Sequence, residues 1–155
     1  MQHIEVNGAQ LEYFELGSGT PIVFVHGAPS DCRMWKPHCA ILAGQYRTIA
    51  YTQRYFGTAK WQEDGPPFGV RSHADDLMKL VRQLDAGPVH LVAWSYGGHV
   101  ALTALTEEPR LFRSALIYEP GFPTYVTDPS ELAAISEDAS SMFAPVFQAV
   151  NAQEN

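Results

Sequence analysis

The sequence predicts an α/β domain in which a mostly parallel sheet of six strands is covered by helices on both faces. Three observations carry that prediction. Apolar and polar residues alternate on both sides of Asn7-Gly8, which marks an antiparallel hairpin with suitable turn chemistry. Later segments such as Pro21–Val25 and Val89–Trp94 are apolar at adjacent positions, as strands covered on both faces are. Segments with helical spacing alternate with these runs, and repeated strand–helix units build a parallel sheet.

Each element follows from local chemistry. Ile4–Val6 and Ala9–Tyr13 form the hairpin, and Gly17-Ser18-Gly19 breaks its second strand. Pro21–Val25 is the next strand, stopped by His26-Gly27-Ala28-Pro29. Ser30 or Asp31 can cap a helix running to about Gly44. Tyr46–Tyr51 is a strand, and the loop from Thr52 to Gly69 is rich in Gly, Pro and aromatic residues. Ala74, Leu77, Leu80, Val81 and Leu84 recur at helical intervals within Val70–Leu84. Gly87-Pro88 ends that helix before the strand Val89–Trp94. Ser95–Glu108 is helical, with Pro109 beyond it, and Ala115–Tyr118 is the sixth strand. After Pro123 the pattern changes to an acidic, helix-like piece, Ser130–Ala139, with Ser130 placed to cap it.

Composition narrows the function. The 155 residues are 46% hydrophobic, 12% aromatic and 17% charged, too apolar for a disordered chain. Asp and Glu number 17 against 10 Lys and Arg, so nothing attracts nucleic acid or an anionic membrane surface. No run approaches the ~20 apolar residues of a membrane span, and no signal peptide is apparent. The expected location is the cytoplasm. Cys32 and Cys39 would stand about 10 Å apart along a helix, beyond disulfide reach. No cluster has metal-ligand spacing, so neither metal nor cofactor is expected.

The chemistry concentrates at Leu91-Val92-Ala93-Trp94-Ser95-Tyr96-Gly97-Gly98, where a strand runs straight into a helix. A sharp turn there lifts the Ser95 hydroxyl above the sheet and directs the next backbone N–H, at Tyr96, towards whatever the hydroxyl attacks. Small neighbours let strand and helix backbones meet. Gly97 and Gly98 fit, while Ala93 stands where glycine is usual. Serine before a helix is also a common cap, so this segment alone leaves both roles open. His26-Gly27-Ala28-Pro29 ends an earlier strand and supplies a second amide, at Ala28, of the kind an oxyanion hole requires. By itself it is equally a generic strand-ending turn.

Together these features resemble the α/β-hydrolase family. The resemblance rests on Asn7-Gly8, Gly17-Ser18-Gly19, His26-Gly27-Ala28-Pro29, Gln53-Arg54-Tyr55-Phe56-Gly57 and Trp94-Ser95-Tyr96-Gly97-Gly98, and spans about Ile4 to Pro123. It implies a three-layer α/β/α fold with strand order 1-2-4-3-5-6, incomplete in lacking the family's C-terminal strands. Residues 1–122 would be the N-terminal part of the core, and 123–155 the truncated start of a cap or lid. It further implies that Ser95 is the nucleophile and that Ala28 and Tyr96 give the oxyanion-hole amides, with His26 bracing the loop. A serine here is unlike the aspartate of haloalkane dehalogenases and epoxide hydrolases.

One part of the pattern is missing. In this family the order is Ser, then Asp or Glu, then His. After Ser95 the sole histidine is His99, about 6 Å further along the same helix and poorly placed as a base. His3, His38, His73 and His90 take structural or surface roles, and Glu119 at the end of the sixth strand is a candidate acid. The expected function is a serine hydrolase of esters or related acyl compounds, in a chain inactive alone for want of its general base. The other expectation is a non-catalytic relative that binds a small acyl ligand or a protein. The aromatic loop around Arg54, Phe56, Trp61 and Phe68 either lines a substrate entrance or packs on itself. With one face thinly covered and the sixth strand an open edge, an exposed apolar patch and self-association are expected.

Overall fold

The computed structural model describes residues 1–58, 64–120 and 126–151. These fall into two compact units, Met1–Pro120 and Gly121–Asn155. The first holds a six-stranded sheet: β1 (Gln2–Val6), β2 (Ala9–Leu16), β3 (Thr20–Val25), β4 (Tyr46–Tyr51), β5 (Val89–Trp94) and β6 (Phe112–Tyr118). Its helices are α1 (Lys36–Leu42), α2 (Val70–Gln83) and α3 (Tyr96–Glu107). The strand order is β1-β2-β4-β3-β5-β6, with β1, β2 and β4 antiparallel neighbours and β4, β3, β5 and β6 parallel.

The hairpin turns on Asn7 and Gly8, both at positive φ (47° and 78°), the two-residue geometry whose twist matches that of the strands. From β3 the chain goes to β4 on one side, then returns across to β5 on the other. The order therefore reverses between β3 and β5. At such a reversal the loops leaving two adjacent strands diverge and open a crevice at their carboxyl ends.

Adjacent apolar residues in β3 are explained by covers on both faces. Val23 and Val25 join a core with Leu77 and Leu80 of α2 and Val100 of α3. Ile22 and Phe24 face the other way, against Cys32, Trp35 and Cys39. Within Met1–Pro120 that second face is covered by the short turn Cys32–Trp35 and α1, and an apolar groove of about 470 Å³ lies beside them between Trp35, Val92, Trp94, Leu116 and Tyr118. Leu116 and Tyr118 of β6, the last strand in the order, are 61% and 64% exposed. Cys32 and Cys39 are fully buried and free, and burial pushes the Cys39 thiol up to about 11.

Three boundaries differ from expectation. The helix foreseen from Asp31 to Gly44 begins as a 3-10 turn, Cys32–Trp35, before α1. Asp31 caps it by accepting the Arg33 N–H. Pro37 has no N–H to give the Arg33 carbonyl, which takes the Lys36 N–H in a tighter turn instead. Strand β6 starts at Phe112, not Ala115, because an edge strand tolerates the exposed Arg113 and Ser114. In the second unit α4 spans Pro129–Asn151, continuing through Pro145. Its cap is Asp128, whose carboxylate accepts the Ser130 and Glu131 amides at 2.8 and 3.1 Å, so Ser130 is not the cap. Pro129 suits the first helical position because no N–H is needed there.

A buried ion pair anchors the loop after β4. Arg54 and Asp76 are 3% and 1% exposed and meet through two hydrogen bonds of 2.5 and 2.6 Å. Asp76 also accepts from the Asn7 side chain, while Arg54 donates to the Asn7 carbonyl, so the pair ties together loop, α2 and hairpin. Removing one charge strands the other in the interior. Asp76→Ala is expected to destabilise the protein by about 3–5 kcal/mol in urea unfolding, and Arg54→Met with Asp76→Leu by less than the single change.

Candidate active site

The carboxyl ends of β3 and β5 lie side by side at the reversal point, and each ends in an abrupt turn. β5 passes into α3 through Ser95 alone, at φ 52° and ψ −122°. A residue with a Cβ adopts positive φ at a cost of about 1–3 kcal/mol, and its surroundings must hold it there. Here the Ser95 N–H donates to the Tyr118 carbonyl at 3.0 Å, and the Gly98 N–H to the Ser95 carbonyl at 2.8 Å. A Cβ on Gly97 would lie 2.5 Å from the His26 carbonyl oxygen and 2.8 Å from that of Val25. One on Gly27 would lie 2.9 Å from the Ser95 Cβ. Both glycines are needed for close approach, since neither has positive φ. Ala93 fits where glycine is usual, its methyl fully buried in the core.

Ser95 is half-buried, and its hydroxyl has no hydrogen-bond partner among the described residues. The Ala28 amide likewise donates to no described group. Tyr96 is the first residue of α3, so its N–H has no intrahelical acceptor. The structure thus sets a strained serine beside two unengaged amides on abutting turns. Neither the apolar groove nor a second cavity, of about 280 Å³ between Gln10, Glu12, Gln53 and Tyr55, is lined by Ser95.

His26 has a fixed protonation pattern. Its Nδ1–H donates to the Gly27 carbonyl at 2.8 Å, and its Nε2 accepts the Gln53 N–H at 3.0 Å. Both ring nitrogens are occupied, and desolvation lowers its pKa to about 4. It ties the turn after β3 to the loop after β4 and has no free nitrogen with which to take a proton from Ser95. His99 lies in the first turn of α3 and is half-buried. Glu119 is exposed, at φ 48°, directly after the Tyr118 whose carbonyl holds Ser95. No described histidine hydrogen-bonds to the Ser95 hydroxyl.

His73 is the residue sequence reasoning placed too vaguely. It is fully buried, lies 2.7 Å from the Tyr96 hydroxyl through Nδ1 and 3.1 Å from the Arg54 carbonyl through Nε2. The available signal was its spacing: it shares the buried stripe of α2 with Ala74, Leu77 and Leu80, where a polar side chain must find partners. Phe56, Phe68 and Tyr96 pack around it with ring centroids 5.7–5.9 Å apart, so the loop aromatics Phe56 and Phe68 pack on one another and on the start of α3 beside Ser95. Trp61 lies outside the described residues.

A family model described as the alpha/beta hydrolase family matches residues 22–152. The chain belongs to that family. It is 31% identical over 132 residues to 2-(acetamidomethylene)succinate hydrolase of Mesorhizobium japonicum, covering 84% of this chain and 47% of that protein. An epoxide hydrolase from Vigna radiata superposes with a TM-score of 0.71 at 26% identity, over 75% of this chain and 38% of its own. A thermophilic esterase from Thermogutta terrifontis gives 0.68 at 27% identity, over 76% and 45%. The hydrolase fold thus accommodates the whole six-stranded sheet, and the chain spans less than half the length of these relatives.

The buried neutral His26 makes stability fall with acidity. Its folded pKa of about 4 lies below the ordinary 6.5, so between those values the unfolded chain binds more protons. Stability is expected to fall by about 3 kcal/mol as pH drops from 6.5 to 4, read from urea midpoints. A flat profile over that window would mean that His26 is charged or exposed.

Proposed function

We propose that this chain carries the nucleophile and oxyanion half of a serine hydrolase acting on esters or related acyl compounds. The observation that supports this most is Ser95 itself: a positive-φ serine with an unengaged hydroxyl, in one of two abutting turns whose Tyr96 and Ala28 amides are also unengaged. Strain of this kind is retained where the surroundings enforce it for chemistry. In this reading Ser95 Oγ attacks the acyl carbon and the two amides hold the oxygen as its negative charge develops. Collapse then expels the leaving group and gives an acyl-enzyme that water hydrolyses. The hydroxyl proton needs a base, and no described histidine is in place to take it. The reading assigns that base to polypeptide beyond these 155 residues, and α4 to the beginning of a cap. The relatives named as an esterase and as a 2-(acetamidomethylene)succinate hydrolase are compatible with acyl chemistry at a serine.

The unpartnered hydroxyl also favours a second reading, a non-catalytic member that binds a small acyl ligand or a protein. Added base separates the two. On p-nitrophenyl acetate the chain alone is expected to do little better than free imidazole, because loss of one triad member forfeits most of the rate. With an alkyl fluorophosphonate and added imidazole, Ser95 is expected to form a covalent adduct visible by mass spectrometry and absent in Ser95→Ala. Absence of that adduct in the native chain would favour the binding reading. Ordinary enzymatic turnover without imidazole, lost in Ser95→Ala, would show that a base within this chain had been missed.

A further inference from the structure

Tyr96 supplies one of the two amides of the proposed site, and its side chain is held from an unexpected direction. The Arg54 carbonyl can only accept, so the His73 Nε2 3.1 Å away carries the ring proton. A neutral imidazole has one N–H, which leaves Nδ1 as an acceptor. The Tyr96 hydroxyl, 2.7 Å away, therefore donates into Nδ1. Burial supports this arrangement at both ends. It lowers the pKa of His73, favouring the neutral ring, and pushes the Tyr96 phenol up to about 12, so the hydroxyl keeps the proton it donates.

The ring of Tyr96 is clamped as well as bonded. Phe68 stacks on it at 5.8 Å and 23°, and His73 meets it edge-on at 5.5 Å and 79°. His73 is fixed in turn, because Arg54, whose carbonyl takes its Nε2–H, is ion-paired to Asp76 three residues further along α2. A line of polar contacts thus runs from the hairpin through Asp76, Arg54 and His73 to the residue next to Ser95. At the turn from β5 into α3 the direction of the Tyr96 N–H is set by the 95–96 peptide plane, and a side chain anchored at its far end resists rotation of that plane.

We propose that His73 is a positioning residue for the oxyanion hole: by accepting the Tyr96 hydroxyl it fixes the Tyr96 side chain and so aims the Tyr96 amide. This rests on the reading of Ser95 as nucleophile.

The two nitrogens of His73 can be tested separately. Asparagine places its carbonyl oxygen near the position of Nδ1 and can accept from Tyr96, whereas glutamine reaches the position of Nε2 and serves the Arg54 carbonyl. The rate of fluorophosphonate capture by Ser95, with imidazole present throughout, reads the consequence. Here the Ser95 Oγ–P bond forms, the P–F bond breaks, fluoride leaves and the hydroxyl proton passes to imidazole. His73→Phe and His73→Gln are expected to slow capture about tenfold, less than the 10²–10³ typical of removing an oxyanion donor outright. His73→Asn is expected to recover most of the rate. Tyr96→Phe should slow capture equally, and Tyr96→Phe with His73→Phe no further, since both break one link. In nitrogen NMR near neutral pH, Nδ1 of His73 should be unprotonated and should shift in Tyr96→Phe.

Equal losses in the Asn, Gln and Phe variants would show a merely structural histidine and overturn the proposal. So would recovery by Gln but not Asn, which would assign the role to the loop alone. A His73 carrying its proton on Nδ1 would overturn it regardless of any rate. Failure of the native chain to be captured at all would overturn the Ser95 reading and this proposal together, an outcome distinct from capture that ignores residue 73.

Discussion

At the reversal between β3 and β5 two backbones come closer than any side chain would permit, and the candidate site depends on that approach. Helix α3 starts against the carbonyls of Val25 and His26 because Gly97 has no Cβ, and the turn after β3 passes Ser95 because Gly27 has none. The positive φ of Ser95 is a consequence rather than a separate device: a strand that must become a helix within one residue has few other conformations available. Hydrogen bonds to Ser95 from two directions, from Gly98 and to Tyr118, hold that geometry. The same junction holds the Ser95 hydroxyl and the Ala28 and Tyr96 amides, none of which is engaged by another described group.

Around this junction the protein spends buried polar groups freely. His26, Arg54, His73 and Asp76 are all at most 5% exposed, yet each has partners that fix its orientation. A desolvated charge or imidazole tolerates few alternative arrangements, so these groups specify loop geometry more sharply than apolar packing would. Gln53 and Arg54, at the start of the loop after β4, thereby become part of the scaffold, held to the β3 turn by the His26–Gln53 bonds and to α2 by the Arg54–Asp76 pair. Apolar packing of α2 and α3 on the sheet supplies cohesion, and the polar groups supply the register between turns.

Much of this was legible in the residues. The Asn7-Gly8 turn and the doubly apolar strand β3 follow from short-range rules that the structure obeys. The strand order followed from resemblance, because no local rule tells a strand which side of its predecessor to join. What was not legible depended on context. Arg113 and Ser114 hide the start of β6, since an edge strand need not be apolar. Asp128 outcompetes Ser130 as a cap because its carboxylate reaches two amides at once. His73 looked like any polar helix residue until its partners, 19 and 23 positions away, were brought beside it. The roles proposed for Ala28 and Tyr96 are backbone roles, to which side-chain identity is nearly silent.

The two buried thiols behind α1 have a use that follows from their seclusion. A thiol reacts as its thiolate and only when a reagent can touch it. Cys39 is fully covered and held up to about 11, and Cys32, also fully covered, is shifted in the same direction. Both are therefore silent while the α1 layer is shut. Each alkylation event would then count one opening of that layer against the sheet, making the pair an internal clock for local unfolding on that face.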